Sequence, residues 1–213
     1  MLVGERMTHP VIVVHPDTPV PEALTVMRRE KIRRLPVLED GQLVGIVTDR
    51  DLLHASASSA TTLSVWELNY LLSKLTVDRV MTTEILTVSE DTPIEEAARL
   101  MADNKIGGLP VMRGTEVVGM VTETNLFRLL LEMTGAREHG VRVTVLVPDR
   151  AGQLAKLTQA IAAAGGNIVA LSTFAGASAS NSSVMCKVTG LPAARLRECV
   201  TPAVEAVVDL RLC

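Results

Sequence analysis

Aromatic side chains are nearly missing from this chain: Trp66, Tyr70, Phe127 and Phe174 are the four in 213 residues. They are too few and too scattered to build a base-stacking platform. A net charge of −3 and a pI near 5.8 add no general attraction for nucleic acid or an anionic membrane. Cysteine is scarce as well. Cys186, Cys199 and Cys213 are odd in number and lack a Cys-x-x-Cys spacing, a pattern that fits buried or free thiols in a reducing compartment. Mean hydropathy is positive, +0.30, yet no apolar run approaches the roughly 20 residues that span a bilayer. The opening Met1-Leu2-Val3-Gly4-Glu5-Arg6 lacks a charged stretch followed by an apolar one, so no secretory signal is expected and the chain is expected to be cytoplasmic.

Catalytic signatures are lacking too. There is no Gly-x-Ser-x-Gly elbow, no phosphate-binding Gly-x-x-x-x-Gly-Lys-Ser/Thr loop and no dinucleotide fingerprint. His9, His15, His54 and His139 show no i, i+4 pairing or association with cysteine, so no metal site is expected. No catalytic residue is assigned, and a regulatory or binding role is favoured over an enzymatic one.

What the sequence has is a duplication. Met7-Thr8, Asp17-Thr18-Pro19, Leu35-Pro36-Val37 and Gly45-Ile46-Val47-Thr48 recur 74 residues later as Met81-Thr82, Asp91-Thr92-Pro93, Leu109-Pro110-Val111 and Gly119-Met120-Val121-Thr122. A packed core requires only a repeating apolar pattern. This repeat also keeps a hydroxyl and, three residues on, a carboxylate or amide: Thr48 with Asp51, Thr122 with Asn125. With Thr48 at a strand end and Asp49 opening a helix, Thr48 and Asp51 face the same way. A helix N-terminus attracts phosphate, and a carboxylate that only accepts hydrogen bonds suits a ribose diol. The bland alternative is an ordinary helix cap, worth about 1 kcal/mol.

The pattern predicts β-α-β-β-α in each copy. Residues 10–16 read as a strand; Thr18 caps a helix with Pro19 at its first position, and Thr92 with Glu95 forms a capping box. Val20, Ala23, Leu24 and Met27, then Ile94, Ala97, Ala98 and Met101, supply the buried stripes. Asp40-Gly41 marks a hairpin turn. Residues 54–62 read as a loop, and Ser64 with Glu67 as the start of a helix between the copies. After Ala136-Arg137-Glu138-His139-Gly140 the charge balance changes: residues 1–138 hold 14 basic and 20 acidic groups, residues 139–213 hold 7 and 4. Residues 141–213 predict β-α-β-β-α-β, the ferredoxin-like split arrangement, with Gly165-Gly166-Asn167 closing its first helix.

Val80-Met81-Thr82, the Thr-Pro helix starts, Ile32-Arg33-Arg34-Leu35-Pro36-Val37, Leu43-Val44-Gly45-Ile46-Val47-Thr48 and Asp51 together resemble a tandem pair of cystathionine-β-synthase-type (CBS) domains over about residues 1–133. The resemblance implies an α+β fold whose two copies pack with pseudo-twofold symmetry. It also implies an adenosyl ligand, such as AMP, ADP, ATP or S-adenosylmethionine, in clefts between them. Thr48 and Thr122 would then contact phosphate, Asp51 and Asn125 would hold ribose, and Arg33 or Arg34 would pair with phosphate where the second copy has Gly107-Gly108. No resident cofactor is expected, and magnesium would arrive only with a bound nucleotide.

Asp149-x-x-Gly152-x-Leu154 followed by Gly165-Gly166-Asn167-Ile168 resembles the ACT domain, a regulatory module that often binds amino acids. Its candidate ligand positions are Asp149, Arg150, Ala151, Gly152, Gln153 and Leu154, with Asn167 opposite. The implied boundaries are residues 1–60 and 77–135 for the CBS copies, 61–76 for an inter-repeat helix, 136–140 for a linker and 141–213 for the ACT domain. Both families associate through helices or sheet edges, which implies a homodimer. The domain order and the Asn69-Tyr70 segment also resemble regulators of acetoin utilisation, implying a metabolic-enzyme partner in acetoin or acetate metabolism. The alternative is a dimerisation module with empty clefts.

Overall fold

The computed structural model describes residues 1–58, 74–176 and 178–213, which form two units, Met1–Leu126 and Phe127–Cys213. The expected helix from Ser64, with Trp66 and Tyr70, lies outside the described residues.

In the first unit the duplication is visible element by element. Helix α1 (Val20–Glu30) buries Val20, Ala23 and Met27, and leaves through Lys31 in the left-handed conformation. Strands β1 (Arg34–Glu39) and β2 (Gln42–Thr48) pair antiparallel around Asp40-Gly41, both at positive φ, as a tight two-residue hairpin requires. Helix α2 (Asp49–Ser58) follows without a break. In the second copy come β3 (Val88–Ser89), α3 (Ile94–Asp103), β4 (Gly108–Arg113), β5 (Glu116–Thr122) and α4 (Glu123–Met133), a helix that starts in the first unit and runs on into the second. Apolar spacing of three and four residues decides the helices, because the same face meets the sheet at each turn.

Four local expectations are corrected. Residues 10–16 form no strand: one parallel bridge, Val14 to Val37, stands where the second copy has β3 pairing Val88 with Val111. Thr18 does not cap α1, whose N-cap is Pro19; its hydroxyl accepts the His15 N–H at 3.1 Å and closes the preceding turn. Thr92 and Glu95 form no capping box, since Pro93 is the N-cap of α3 and Thr92 accepts the Ser89 N–H at 3.0 Å. Residues 54–58 continue α2 instead of opening a loop. Alanine has the highest helix propensity, and Ala55 and Ala57 propagate a helix already nucleated.

Each copy lends its opening segment to the other. Val3 N–H donates to Thr92 O at 2.9 Å and Gly4 N–H to Glu90 O at 2.8 Å, while Val77 N–H donates to Thr18 O at 3.0 Å and Asp78 N–H to Pro16 O at 2.9 Å. The bridges come in pairs offset by 74 residues: Leu2 to Pro93 with Pro19 to Thr76, and Thr8 to Met120 with Ile46 to Thr82. Gly45 and Gly119 are the seats of this exchange. A Cβ at Gly45 would overlap Met81 Sδ, and one at Gly119 would overlap Met7 Sδ. Val77 is fully buried in the core of the first copy with Val20, Leu35 and Leu52, and Val3 is fully buried too.

In the second unit, β6 (Val141–Pro148), α5 (Gln153–Ala163), β7 (Asn167–Ala175), β8 (Asn181–Thr189), α6 (Ala193–Val200) and β9 (Ala206–Leu212) build an antiparallel sheet in the order β7-β8-β6-β9. This is the expected split arrangement. Gly165 closes α5 at φ 90°. The valines alternating along β6 pack with Leu157, Ile161, Leu196 and Val200. Lys187 is buried, and its Nζ donates to Gly135 O at 3.0 Å, fixing the segment that follows α4.

Cys186 lies in this core, where burial pushes its thiol up to about 11. A buried protonated thiol is a poor nucleophile. A maleimide should therefore label exposed Cys213 in the native chain and reach Cys186 only after denaturation, as intact-mass spectrometry would show.

Candidate functional site

The hairpin β1-β2 brings Arg34 and Thr48 side by side at its open end, because they are register partners, and Arg33 immediately precedes the first strand. Asp49 N–H then donates to Arg33 O at 3.1 Å, which ties the start of α2 to the start of β1. These residues wall a cleft of about 710 Å³, within the roughly 300–1,000 Å³ typical of small-molecule sites. The opposite wall comes from the second copy: Thr82 to Leu86, without Thr83, and Lys105 to Gly108. The cleft thus lies where the two copies exchange their opening segments.

Arg33, Arg34 and Thr48 line this cleft. Asp51 stands behind Thr48, accepting its N–H at 2.9 Å and its hydroxyl at 2.7 Å on the same oxygen, Oδ2. Thr48 Oγ1 in turn accepts the Asp51 N–H at 3.3 Å. The pair is a reciprocal cap that fixes the Thr48 rotamer. Thr122 and Asn125 repeat it, with both Thr122 donors on Asn125 Oδ1 at 3.0 and 2.6 Å. Asn125, however, is 7% exposed, and its Nδ2 donates to Arg6 O at 2.8 Å and Thr8 Oγ1 at 3.3 Å. An amide is needed there because the group must both accept from its own copy and donate to the other. Neither Thr122 nor Asn125 lines the 710 Å³ cleft.

Lys105, Arg50, Glu84 and Glu123 also line the cleft without having been singled out from the sequence. The signal was available in the offset of 74, which matches Arg33-Arg34 with Gly107-Gly108. In the structure the Arg34 guanidinium lies over Gly107, where a Cβ would overlap Nη2 and stand 2.9 Å from Glu123 Oε2. Burial draws the Arg34 pKa below the ordinary arginine value, and the Glu123 charge opposes that shift.

The second unit holds a smaller cavity of about 300 Å³, lined by Asp149, Arg150, Ala151, Gly152, Gln153 and Leu154, with Thr173 and Ser182 across from them. Gly152 is at φ 86° and serves as N-cap of α5, so the turn there requires glycine. Gln153 is 6% exposed although it is polar. Asn167 is exposed at the start of β7 and does not line the cavity.

Among the described residues no helix is long and apolar enough to cross a membrane, and no group of three or more His, Cys, Asp or Glu is placed to hold a metal ion.

Comparison with known proteins places this geometry. The CBS domain family model matches residues 3–58 and 77–132, and the TTHA0829-like ACT domain model matches residues 139–211. The chain is similar to the CBS domain pair of protein MJ0100, solved with 5′-methylthioadenosine and S-adenosyl-L-methionine, at 29% identity and TM-score 0.54, over 65% of this chain and 98% of that one. It is similar to CBSX2, solved with AMP, at 36% identity and TM-score 0.50, over 61% and 96% of the two chains. It is also similar to a protein from Vibrio cholerae described as a putative acetoin utilization protein (AcuB), at 27% identity and TM-score 0.54, over 65% and 96%. The matched region makes up 93% of one curated relative and 23% of another, which is an enzyme. The chain belongs to the CBS-domain family, as a tandem CBS pair followed by a TTHA0829-like ACT domain.

Proposed function

We propose that this chain is a non-catalytic sensor whose CBS pair takes an adenosyl ligand in the 710 Å³ cleft and passes the binding event to a metabolic enzyme. The observation that carries this reading is the cleft itself: both copies line it, so a ligand there touches both halves at once. Such a ligand shifts a conformational equilibrium by its differential affinity for the two states. Relatives of the same fold hold AMP in one case and S-adenosylmethionine with methylthioadenosine in another. The likeness to AcuB supports acetoin or acetate metabolism as the setting. The ACT domain serves dimerisation, and its own cavity suits an amino acid, with Asp149 and Arg150 complementary to the two charges of a zwitterion and Gln153 at the wall.

Mass spectrometry of small molecules released from the purified native chain, followed by titration calorimetry with AMP, ATP and S-adenosylmethionine, tests this. No heat with any of them would leave a structural module with empty clefts. Asp51→Ala probes the site from behind. Losing the cap costs about 1 kcal/mol, so the chain stays folded, while a released Thr48 rotamer lowers adenosyl affinity by about tenfold. Unchanged affinity in the folded variant would remove the Thr48-Asp51 pair from the site.

A further inference from the structure

Behind one wall of the cleft lies a second cavity, of about 580 Å³. The shared wall is the extended segment 83–87. Its side chains alternate as in a strand: Glu84 and Leu86 line the cleft, Thr83 and Thr87 line the second cavity, and Ile85 lines both. The rim comes from the ends of the two hairpins, Gln42 where β2 begins and Gly114-Thr115 between β4 and β5.

The two cavities differ in kind. Seven charged side chains line the cleft and none lines the second cavity. In place of charge it has four hydroxyls, of Thr83, Thr87, Ser89 and Thr115, together with the Gln42 amide. Leu43, Ile85 and Met112 supply apolar surface between them. Among the described residues no hydrogen bond engages the Thr83, Thr87 or Thr115 hydroxyl or the Gln42 amide. Ser89 Oγ accepts the Asp91 N–H at 3.2 Å and keeps its own proton. Nor, among the described residues, does any backbone hydrogen bond engage residues 83–87.

The hydroxyls are not a by-product of the duplication. At the positions 74 residues away from Thr83, Thr87, Ser89, Thr115 and Gln42 stand His9, Val13, His15, Gly41 and Glu116. A residue type that the fold demanded would recur, as Thr48 does in Thr122. Hydroxyls and an amide both donate and accept hydrogen bonds, so the set matches a partner whose groups do the same. A charge brought here would lose water without meeting a counter-charge.

We propose that this cavity is a second small-molecule site, for an uncharged polyhydroxy compound such as a sugar. Its hydroxyls bond to Thr83, Thr87, Thr115 and Gln42, and its C–H faces lie on Leu43, Ile85 and Met112. Such a site is independent of adenosyl binding in the cleft.

Amide-resolved NMR titration of the full chain with D-glucose, D-glucuronate and D-glucosamine tests it, since these offer the same ring uncharged, negative and positive. Glucose should shift the amides of residues 83–89, 114 and 115 saturably, and bind at least about fivefold tighter than either charged ring. Thr87→Val combined with Thr115→Val keeps the shape and removes two hydroxyls that bond nothing within the described protein. The melting temperature should therefore hold while glucose affinity falls by about tenfold. Thr115→Ser, which keeps its hydroxyl, should bind glucose as the parent does. The site is overturned by any of four results: no saturable shift with glucose, shifts centred on Arg34 and Thr48 instead, charged rings binding equally well, or full affinity in the folded double variant.

Discussion

Asn125→Asp should destabilise the first unit by about 3 kcal/mol at pH 7, even though it copies the Asp51 of the first repeat. Asn125 is buried, and its Nδ2 donates 2.8 Å to Arg6 O. The substitution turns that donor into an acceptor and sets a carboxylate against a carbonyl. Thr122 keeps its partner, since Oδ1 is unchanged in kind, so the loss is confined to the contact with Arg6 and Thr8. The sign with pH follows. Burial beside a carbonyl raises the introduced carboxyl above its ordinary value of about 4, and its protonated form can donate to Arg6 O. The deficit is therefore smallest in acid and grows as pH rises from the ordinary value through the raised one. Denaturant titrations at pH 4 and pH 7 check this, with Asn125→Ala as the comparison. Equal stability of Asn125→Asp and the parent at pH 7 would mean that these hydrogen bonds contribute nothing.

Val3→Asp should cost a further large amount, about 3–4 kcal/mol, because a charge would replace a fully buried side chain. The damage should appear far from the substitution in sequence. Val3 and Gly4 bond to Thr92 and Glu90, so hydrogen exchange should quicken at residues 90–97 in the second copy before it quickens in α1. Val77→Asp should do the reverse and loosen the core around Val20 and Leu35. If each variant instead unprotects its own copy first, the exchange of opening segments contributes little to holding the unit together.

These two cases also show what the sequence could tell. The alternation of apolar residues gave both hairpins, the buried stripes of α1 and α3 and the order of the second unit, because each depends on neighbours within a dozen residues. The caps expected at Thr18 and Thr92 do not form because proline takes the N-cap and leaves the hydroxyls to close the turns before it. The strand expected at residues 10–16 shrank to a bridge, since pairing depends on a partner that local pattern does not reveal. The Thr48-Asp51 pair was found as a motif, but that its hydroxyl faces its own carboxylate is a matter of rotamer. The partners of Asn125 lie 117 and 119 residues away. The placement of Arg34 over Gly107 was half available, as a mismatch between copies, and needed the fold to bring the mismatched positions together.

The paired seats at Gly45 and Gly119 carry a historical implication. A half-length polypeptide with one repeat would have an empty socket and a lead-in with nothing to cover. Two such polypeptides would complete each other through the same handshake, so the present chain reads as an old two-partner assembly joined end to end. Once joined, its halves no longer had to stay alike, and an arginine could arise on one side of the axis without appearing on the other.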